Sequence, residues 1–432
     1  MFKRSKLFLP VFVFCCAAAS PAASICVNPG GNGGCKATIG AAVAAAAAND
    51  TITVARGVYA EDVIVDKPLS LIGNNAVIDG SGLANGINID GLGHPGLKDV
   101  AVSGFVVANA NFQGIVVTNA SNITITGNHV LNNDRSLQPF ASGGPICPGL
   151  PAPFQAGEGL DCGEGIHLSG VSGSTVSDNL VERNAGGILI SDDTGPNHDN
   201  LITRNTVQDN PYDCGITLAS HHFATGTVDP LVGVYHITVA DNASLRNGLK
   251  TGEGAGIGIF AGPPGAQNWG DTVIRNAAIG NALPGVALHS HSPFQKLTDH
   301  RIAGNFISGN GPDSDPGTTV PTGISIFNDA AAGAPDLSGI VITGNTIRNE
   351  GIGVGINATG SVALHLNNFS VPVGIDNIGT ATVNATLNWW GCANDHSHNC
   401  ATVTGVNVQS QPTLSDPYEG FKDDGGRHGN DH

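Results

Sequence analysis

The chain has 432 residues, with 18 Lys and Arg against 35 Asp and Glu, and a formal net charge of −17 at pH 7. So acidic a chain repels nucleic acid and anionic lipid headgroups, which excludes both as expected partners. It also repels acidic polysaccharides unless a cation bridges the two, and Ca²⁺ is the candidate for that role; no cofactor is expected to be required.

Residues 1–24 have the features of a secretory signal peptide. A basic start precedes an apolar stretch from Leu7 to Ala19, and Ala22-Ala23-Ser24 forms a small-residue cleavage region. The apolar stretch is shorter than the ~18 residues needed to span a bilayer, so membrane insertion is not expected. We therefore predict a secreted or periplasmic protein.

Export changes how the cysteines are interpreted, because disulfides are stable in an oxidising compartment. Nine cysteines are present, and two of them, Cys15 and Cys16, lie in the leader. Proximity along the chain predicts the pairs Cys26–Cys35, Cys147–Cys162 and Cys392–Cys400 and leaves Cys214 single. Zinc is a poorer interpretation, because no CxxC pair is present.

Residues 25–49 are predicted to form an N-terminal cap. Within them Thr38 to Asn49 is an Ala-rich amphipathic stretch, suited to a helix that covers the open end of a repeat structure. The runs Thr51–Val54 and Val63–Val65 that follow are alternating or apolar, as is typical of first coils.

The body of the chain carries an internal repeat built on asparagine. An aliphatic residue is followed by Asn three residues later, a mostly apolar residue two further on, and a second Asn five residues after the first. Six copies share this offset: Asn128/Asn133, Asn179/Asn184, Asn205/Asn210, Asn242/Asn247, Asn276/Asn281 and Asn305/Asn310. A seventh copy departs from the pattern and ends in Asn349-Glu350. We expect these asparagines to occupy left-handed turns and to hydrogen-bond along the axis as a ladder, as scaffold and not as ligands.

A second phrase lies between the copies: Gly, then Ile or Val, then any residue, then an aliphatic one. It begins at Gly114, Gly165, Gly187, Gly215, Gly256, Gly285 and Gly323. Strands this short cannot pair within one coil, but stacked coils pair their backbones and join their apolar residues into one core. We therefore predict an all-β, single-stranded right-handed parallel β-helix over residues 50–412 with an N-terminal capping helix. Trp389 and Trp390 would close the last coil, and residues 413–432 are interpreted as a disordered tail.

The Asn repeat, the opening DTITVARGVYAEDVIVDKPLSLIGNNAVIDGSG and the close NWWGC resemble the right-handed parallel β-helix repeat proteins of the pectate-lyase-like superfamily. The resemblance covers residues 36 to 412 and implies the fold. It leaves the activity open, because the superfamily includes lyases, hydrolases, epimerases, esterases, tailspikes and non-catalytic surface or periplasmic proteins. Of the polygalacturonase signature only Asp192-Asp193 matches, and the Asp-Pro-His segment of alginate epimerases is absent.

The Gly phrase predicts which side chains face outward. If the first and third residues after Gly point inward, the second, fourth and sixth point outward. The fourth positions then include Phe260, His289 and Phe327, and the sixth positions include Asp193, His221, His291 and Asp329. Long insertions are expected beyond this strand end, at 191–200, 219–236, 260–271, 289–300 and 327–339. Loops of that size beside a regular scaffold commonly build binding sites.

These positions supply the candidate site. Asp193 would orient a histidine that abstracts a sugar C5 proton or activates water, so the candidate catalytic residues are His167, Asp193, His221 and His291. Phe260 and Phe327 would stack on sugar rings, with His222, His289 and Asp329 as further substrate-binding candidates. Asp192, beside Asp193, is the candidate Ca²⁺ ligand, and the His289-x-His291 pair could hold a transition metal, although a β-helix without metal is the default. The competing interpretation is that these histidines and aspartates only cap turns.

The sequence thus predicts an exported, monomeric β-helix protein that binds and modifies an extended polysaccharide by lyase, hydrolase or epimerase chemistry. The alternative is a non-catalytic surface or periplasmic protein, either an adhesin or an accessory protein.

Overall fold

The structure is a computed structural model that describes residues 22–151, 154, 161–221, 232–329, 333, 335–392 and 400–420. All of the predicted signal peptide except its last three residues lies outside this range. Within it the strands of successive coils pair in parallel, each with its equivalent one coil away, so the chain is a right-handed parallel β-helix as predicted. No helix in the described ranges is long and apolar enough to cross a membrane.

Three parallel sheets run along the described solenoid, and each coil contributes short strands to them. Sheet A contains Ser24–Val27, Asp50–Val54, Val58–Tyr59, Leu69–Asp79, Ala101–Ala108, Thr124–Thr126, His129–Leu131, Thr175–Ser177, Leu180–Glu182, Leu201–Thr203, Thr206–Gln208, Thr238–Ala240, Ala243–Leu245, Thr272–Ile274, Ala277–Ile279, Arg301–Ala303, Phe306–Ser308, Ile340–Thr343, Thr346–Arg348, Ser361–His365, Asn368–Ser370, Thr382–Asn384 and Val408–Gln409. Sheet B contains Val63–Val65, Asn85–Asp90, Gln113–Thr118, Ile166–Ser169, Ile188–Ser191, Ile216–Ser220, Ile257–Ala261, Val286–Ser290, Thr322–Asn328, Ile352–Asn357, Val373–Asn377 and Thr402–Gly405. Sheet C contains Asn197–His198, Val234–Tyr235, Gln267–Trp269, Lys296–Thr298 and Asp336–Ser338.

The core is one column of aliphatic side chains enclosed by these sheets. The first and third residues of the Gly phrase point into it as predicted: Ile188 and Ile190 are fully buried, and so are their equivalents Ile216 and Leu218 in the next coil. Each such side chain stabilises the fold by about 1.5–3 kcal/mol through burial. The stack of coils therefore supplies a rigid support for whatever projects from its outer faces.

The predicted helix forms at the N-terminal end but is short, spanning Ile39–Ala45. The Thr38 hydroxyl accepts the Ala41 N–H at 3.2 Å, and the carboxylate of Glu61 accepts the N–H groups of Ile39 and Gly40, both at 2.8 Å. These contacts satisfy donors that the first helical turn leaves unpaired, and the negative charge suits the helix N-terminus. The helix packs on the core, while strand Ser24–Val27 precedes it and already belongs to sheet A.

The far end is closed by one aromatic residue where two were expected. Trp390 is buried and stacks on Phe369 with ring centroids 5.0 Å apart, whereas Trp389 is only half-buried. The first residues of the predicted tail contact the last coils: the Leu414 N–H donates to the Asn388 carbonyl and the Tyr418 N–H to Asn368 Oδ1. Residues 421–432 of that tail lie outside the described range.

The asparagine ladder forms in two buried columns. In a representative step, Asn205 Oδ1 accepts both the backbone N–H and the Nδ2 of Asn179, each at 3.0 Å, and Asn205 Nδ2 donates to the carbonyl of Val176. The expectation that these asparagines adopt left-handed geometry is wrong. The preceding residue does so, with φ between 54° and 58° at Asp178, Arg183, Arg204, Asp209, Asp241, Arg246 and Arg275. The turn strain falls on an exposed residue, and the Asn is left free to point inward and bind the backbone.

Glu350 ends the second column where the other coils have Asn. Its carboxylate accepts the backbone N–H of Asn310 at 3.1 Å and the Asn310 Nδ2 at 3.0 Å. Burial raises the pKa of Glu350 from 4.5 to about 7, although the Asn310 hydrogen bonds oppose the rise. The departure from the repeat noted in the sequence therefore places a titratable group inside the ladder.

We expect the Glu350→Gln variant to lose part of the pH dependence of folding stability. The folded chain holds the Glu350 proton more tightly than the unfolded chain, so stability is complete below about pH 4.5 and falls as the pH rises to about 7. At pH 8 the glutamine variant should be more stable than the native protein by about 1–2 kcal/mol, allowing for solvent screening. Urea unfolding of both proteins at pH 5 and pH 8 measures this. If the unfolding midpoint changed by the same amount between the two pH values in both proteins, the prediction would be contradicted.

Candidate functional site

The outer face of sheet B carries the predicted outward residues in the expected register. His167, Leu189, Thr217, Gly258, Ala287 and Ser325 pair in succession across the coils. Much of this face is nevertheless buried: His167 is 2% exposed and its ring lies 5.0 Å from that of Phe154, which belongs to the segment between two sheet-B strands. The face is therefore covered in the His167 coil and is not an open groove there.

The open part of the face is a cleft of about 440 Å³. Its described lining is Pro145, Asp161, Asp213, Cys214, Gly252, Glu253, Phe260, Ala261, Gly262, Leu283, His289, His291, Asp313, Ser314 and Asp315. Five of these residues are acidic and two are histidines, and no described lining residue is Lys or Arg. We call this space the cleft.

The cleft walls come mostly from segments that precede the sheet-B strands, and not from the insertions expected after them. The described part of each expected insertion supplies a short strand of sheet C, where Val234, Leu297 and Leu337 are buried in the core and make a third inward side of the coil. The described residues of these insertions that reach the cleft include Gly262 and His291.

The three predicted disulfides are present, and one of them positions part of the site. Cys26–Cys35 and Cys392–Cys400 lie near the two ends of the chain, whereas Cys147–Cys162 closes the Pro-rich segment beside the cleft. Cys147, Cys162 and Phe112 form a small apolar cluster apart from the main core. Asp161 is thereby attached to a segment that is both packed and cross-linked. Cys214 is a buried free cysteine at the cleft.

Asp193 and His221 lie side by side, as the shared register predicts, and His167 joins them; we call these three residues the relay. Asp193 Oδ1 lies 3.1 Å from His221 Nδ1, and Asp193 Oδ2 lies 3.7 Å from His167 Nε2. Ser191 links the two sides, since its hydroxyl lies 2.8 Å from His167 Nε2 and donates to Asp193. Burial acts to raise the pKa of Asp193, but the hydrogen bond and charge of His221 together with His167 hold it well below its usual range. Burial lowers the pKa of His167 to about 4, so this imidazole is neutral at pH 7.

Asp192 hydrogen-bonds to the backbone of His221 and so helps to position the relay. It is 1% exposed, and its two oxygens accept the His221 backbone N–H at 2.7 Å and the Ser220 hydroxyl at 2.8 Å. This geometry orients the backbone that carries His221. The Ca²⁺ role of Asp192 stays a prediction, and the engagement of both oxygens disfavours it.

Three carboxyl groups that sequence analysis missed lie beside the relay: Asp161, Glu164 and Asp213, which we call the acidic cluster. One oxygen from each lies within 4.8 Å of the others, and Asp161 Oδ2 is 3.2 Å from His221 Nε2. Burial, then the charges of Asp213 and Asp161, raise the pKa of Glu164 well above its usual value. A signal was available, because Asp-Cys-Gly occurs twice, at 161–163 and 213–215.

Glycine at 186 makes room for the buried member of the acidic cluster. A Cβ there would lie 2.4 Å from Glu164 Oε1, so any other residue would displace the carboxyl. Glu164 is 2% exposed and Oε1 has no hydrogen-bond partner among the described residues. A neutral carboxyl is the form that this environment tolerates.

His291 does not join the relay. It lies two coils beyond His221, with the Gly262 coil between them, and pairs instead with Asp315, whose Oδ2 is 3.5 Å from His291 Nε2. His289 lies beside it, 3% exposed, with Nε2 2.8 Å from Asp313 Oδ2 and Nδ1 3.3 Å from Asp315 Oδ2. His291 is therefore two coils from His221, the separation that the register predicts, and the candidate catalytic residues form two separate groups.

Of the remaining substrate-binding candidates, Phe260 lines the cleft, whereas Phe327 and Asp329 are not among its described lining residues. Phe260 lines the cleft and its ring lies over Gly258, where a Cβ would be 2.2 Å from the ring. Phe327 packs against His291 with centroids 5.4 Å apart, and Asp329 is half-buried with its N–H bonded to the Ser290 carbonyl. Neither lines the cleft as described, and His222 lies outside the described residues.

Comparison with known proteins agrees with the fold. A family model described as right handed beta helix region matches residues 70–232. A solved structure of DFA-IIIase from Arthrobacter chlorophenolicus A6 without its lid is 12% identical with a TM-score of 0.51, covering 84% of this chain and 89% of that one. No curated protein sequence matches the chain significantly.

Two further solved structures are similar at lower scores. The catalytic unit of a thermostable GH87 alpha-1,3-glucanase from Streptomyces thermodiastaticus strain HF3-3 is 16% identical with a TM-score of 0.46, and 87% of this chain covers 66% of that one. PfbA, a surface adhesin of Streptococcus pneumoniae, is 13% identical with a TM-score of 0.47, and the match covers 86% of this chain and 84% of that one. At such identities the likeness concerns the fold alone.

Proposed function

We propose that this chain, a right-handed parallel β-helix, is an exported glycoside hydrolase that cleaves a neutral, extended glycan in the cleft. The observation that carries the proposal is the acidic cluster in the cleft wall, joined to the relay through His221. Hydrolysis of a glycosidic bond generally uses two carboxyl groups, one protonated and one ionised. Clustered carboxyl groups cannot all ionise, so such a site separates their protonation states.

The surroundings of Asp161 and Asp213 suggest a role for each. Asp161 faces His221 Nε2 at 3.2 Å, and that contact favours the ionised carboxylate of a nucleophile or general base. Asp213 stands beside the buried Glu164 in the acidic cluster, and we assign it the role of general acid. Both carboxylates line the cleft, where a sugar can reach them.

The relay and Glu164 support catalysis indirectly, by positioning Asp161 and Asp213. His167 and Glu164 are each 2% exposed, too buried to touch a polysaccharide. We therefore treat them as positioning residues: His167 steadies Asp193, which orients His221, and Glu164 contributes a neutral group behind the two aspartates. The predicted catalytic roles of His167 and Asp193 become supporting ones in this proposal.

The charge of the cleft favours hydrolysis over lyase or epimerase chemistry. Proton abstraction at the C5 of a uronate requires its carboxylate to be neutralised, usually by Lys, Arg or a cation. Five acidic residues line the cleft and the described lining contains no Lys or Arg, so a uronate would be repelled. Phe260 lines the cleft with its ring over Gly258 and offers a surface on which a neutral sugar ring can stack.

The test is a panel of neutral glucans, fructans and xylans beside pectate and alginate, incubated with the purified protein. We expect new reducing ends from a neutral glycan with no rise in absorbance at ~235 nm, since hydrolysis creates no unsaturated product. Unsaturated products from a uronate would overturn the proposal in favour of a lyase, and proton exchange without cleavage would indicate an epimerase. Binding with neither would support the non-catalytic alternative.

A further inference from the structure

We propose that His289, His291 and Asp315 form a binding site for a divalent transition-metal ion of the zinc type in the cleft wall. None of these residues belongs to the acidic cluster or the relay, so metal binding here is measured separately from glycan hydrolysis. His289 and His291 follow one another at alternate positions at the end of strand Val286–Ser290, so both project from the same face. Asp315 comes from a loop of the next coil and lies above them.

The spacing of the three groups fits one ion. Asp315 Oδ2 lies 3.3 Å from His289 Nδ1 and 3.5 Å from His291 Nε2, and one candidate ligand atom from each residue lies within 4.8 Å of the others. Ligands around tetrahedral zinc, with bonds of about 2.1 Å, are separated by about 3.4 Å. Two of the three separations therefore already match, and the third, between the two imidazole nitrogens, is within 4.8 Å.

A second carboxylate orients the buried histidine as metal-binding histidines are commonly oriented. Asp313 Oδ2 lies 2.8 Å from His289 Nε2 and also accepts the Ser325 hydroxyl at 2.6 Å. With Nε2–H donating to Asp313, Nδ1 faces Asp315 Oδ2 at 3.3 Å. Burial acts to lower the pKa of His289, but Asp313 and Asp315 raise it to about 9, so a metal ion binds between Nδ1 and Asp315 by displacing the proton held there.

The loop that carries Asp315 is held in place before any ion binds. The Asp313 N–H donates to the Thr318 hydroxyl at 2.8 Å, the Thr318 N–H returns to the Asp313 carbonyl at 2.8 Å, and the Asp315 N–H donates to Asp313 Oδ1 at 3.1 Å. The backbone that carries Asp315 is therefore fixed by the closed turn. Such preorganisation lowers the entropic cost of binding.

The ligand types select the class of ion. Two imidazole nitrogens and one carboxylate suit Zn²⁺, Cu²⁺ or Co²⁺, whereas Ca²⁺ and Mg²⁺ prefer oxygen ligands alone. The side chains of His291 and Asp315 are 44% and 43% exposed, so the site opens to the cleft. An ion there would keep a free coordination position for water or a sugar hydroxyl.

The test uses untagged full-length protein stripped of metal, titrated with Zn²⁺ by calorimetry and with Co²⁺ by visible absorption. We expect one ion per chain and the intense visible bands of low-coordinate Co²⁺. His291→Ala and Asp315→Asn should each weaken Zn²⁺ binding at least tenfold, and Asp313→Asn by about 10–100-fold through loss of orientation. His291 and Asp315 are exposed enough for these variants to fold.

Two controls separate this site from others. His236→Ala removes a histidine that is 55% exposed and lies 3.5 Å from Asp199, outside the proposed site, and it should leave the affinity unchanged. A His428→Ala/His432→Ala variant accounts for the histidines near the C-terminus. No Zn²⁺ binding by the native protein, or binding that survives both His291→Ala and Asp315→Asn, would overturn the proposal and leave a protonated His289 as the group between the two aspartates.

Discussion

Asp213→Asn is expected to lower kcat on the neutral glycan by about a hundredfold to ten-thousandfold, the range that a general acid contributes. The amide cannot donate the proton that the leaving oxygen needs, yet it keeps the size of the carboxyl and the contact with the Cys214 N–H, which lies 2.6 Å from Asp213 Oδ1. KM should therefore change little. Initial rates over a range of substrate concentrations, on whichever glycan the panel identifies, provide both constants.

The pH profile distinguishes an acid from a structural residue. In the native enzyme kcat should fall at high pH as the general acid loses its proton. Asp213→Asn should remove this fall, whereas a variant with a merely structural defect should keep it. Asp209→Asn is the matched control, because Asp209 pairs with Arg246 on the surface at 2.8 Å and lies outside the cleft. If Asp213→Asn retained kcat within about threefold of the native value, the assignment of the acid would be abandoned.

Asn205→Ala is expected to destabilise the solenoid by about 3 kcal/mol or more. The substitution leaves the backbone N–H and one Nδ2 hydrogen of Asn179 without their acceptor and removes one donor from the Val176 carbonyl, all in the buried interior. Each such unsatisfied group costs about 1–3 kcal/mol. Because solenoid stability depends on contacts between neighbouring coils, the loss should open coils on both sides of the substitution.

Urea unfolding and amide hydrogen exchange together measure this effect. The unfolding midpoint should fall, and exchange protection should be lost first in the strands Thr175–Ser177 and Thr238–Ala240 that flank the altered coil. Asn74→Ala is the control, since Asn74 is exposed and outside the ladder. An unchanged midpoint for Asn205→Ala would mean that the ladder contributes little to stability.

The sequence alone determined the scaffold, including the parallel stacking, the inward residues of the Gly phrase, the asparagine ladder and the three disulfides. These features repeat in every coil or join residues close in the chain, so each is visible as a local pattern. The neighbourhood of Asp193 and His221 followed from the same register, because equivalent positions of adjacent coils must lie one strand spacing apart.

Only the tertiary structure decided what surrounds those residues. Asp161, Glu164, Asp213, Asp313 and Asp315 belong to segments between strands, where no period fixes direction, and they meet the strand face because the loops fold back over it. The same folding buried His167, paired His291 with Asp315 and made the cleft acidic. A repeating pattern specifies the positions it repeats, whereas contacts between irregular loops depend on packing and charge across the coils, which no single segment encodes.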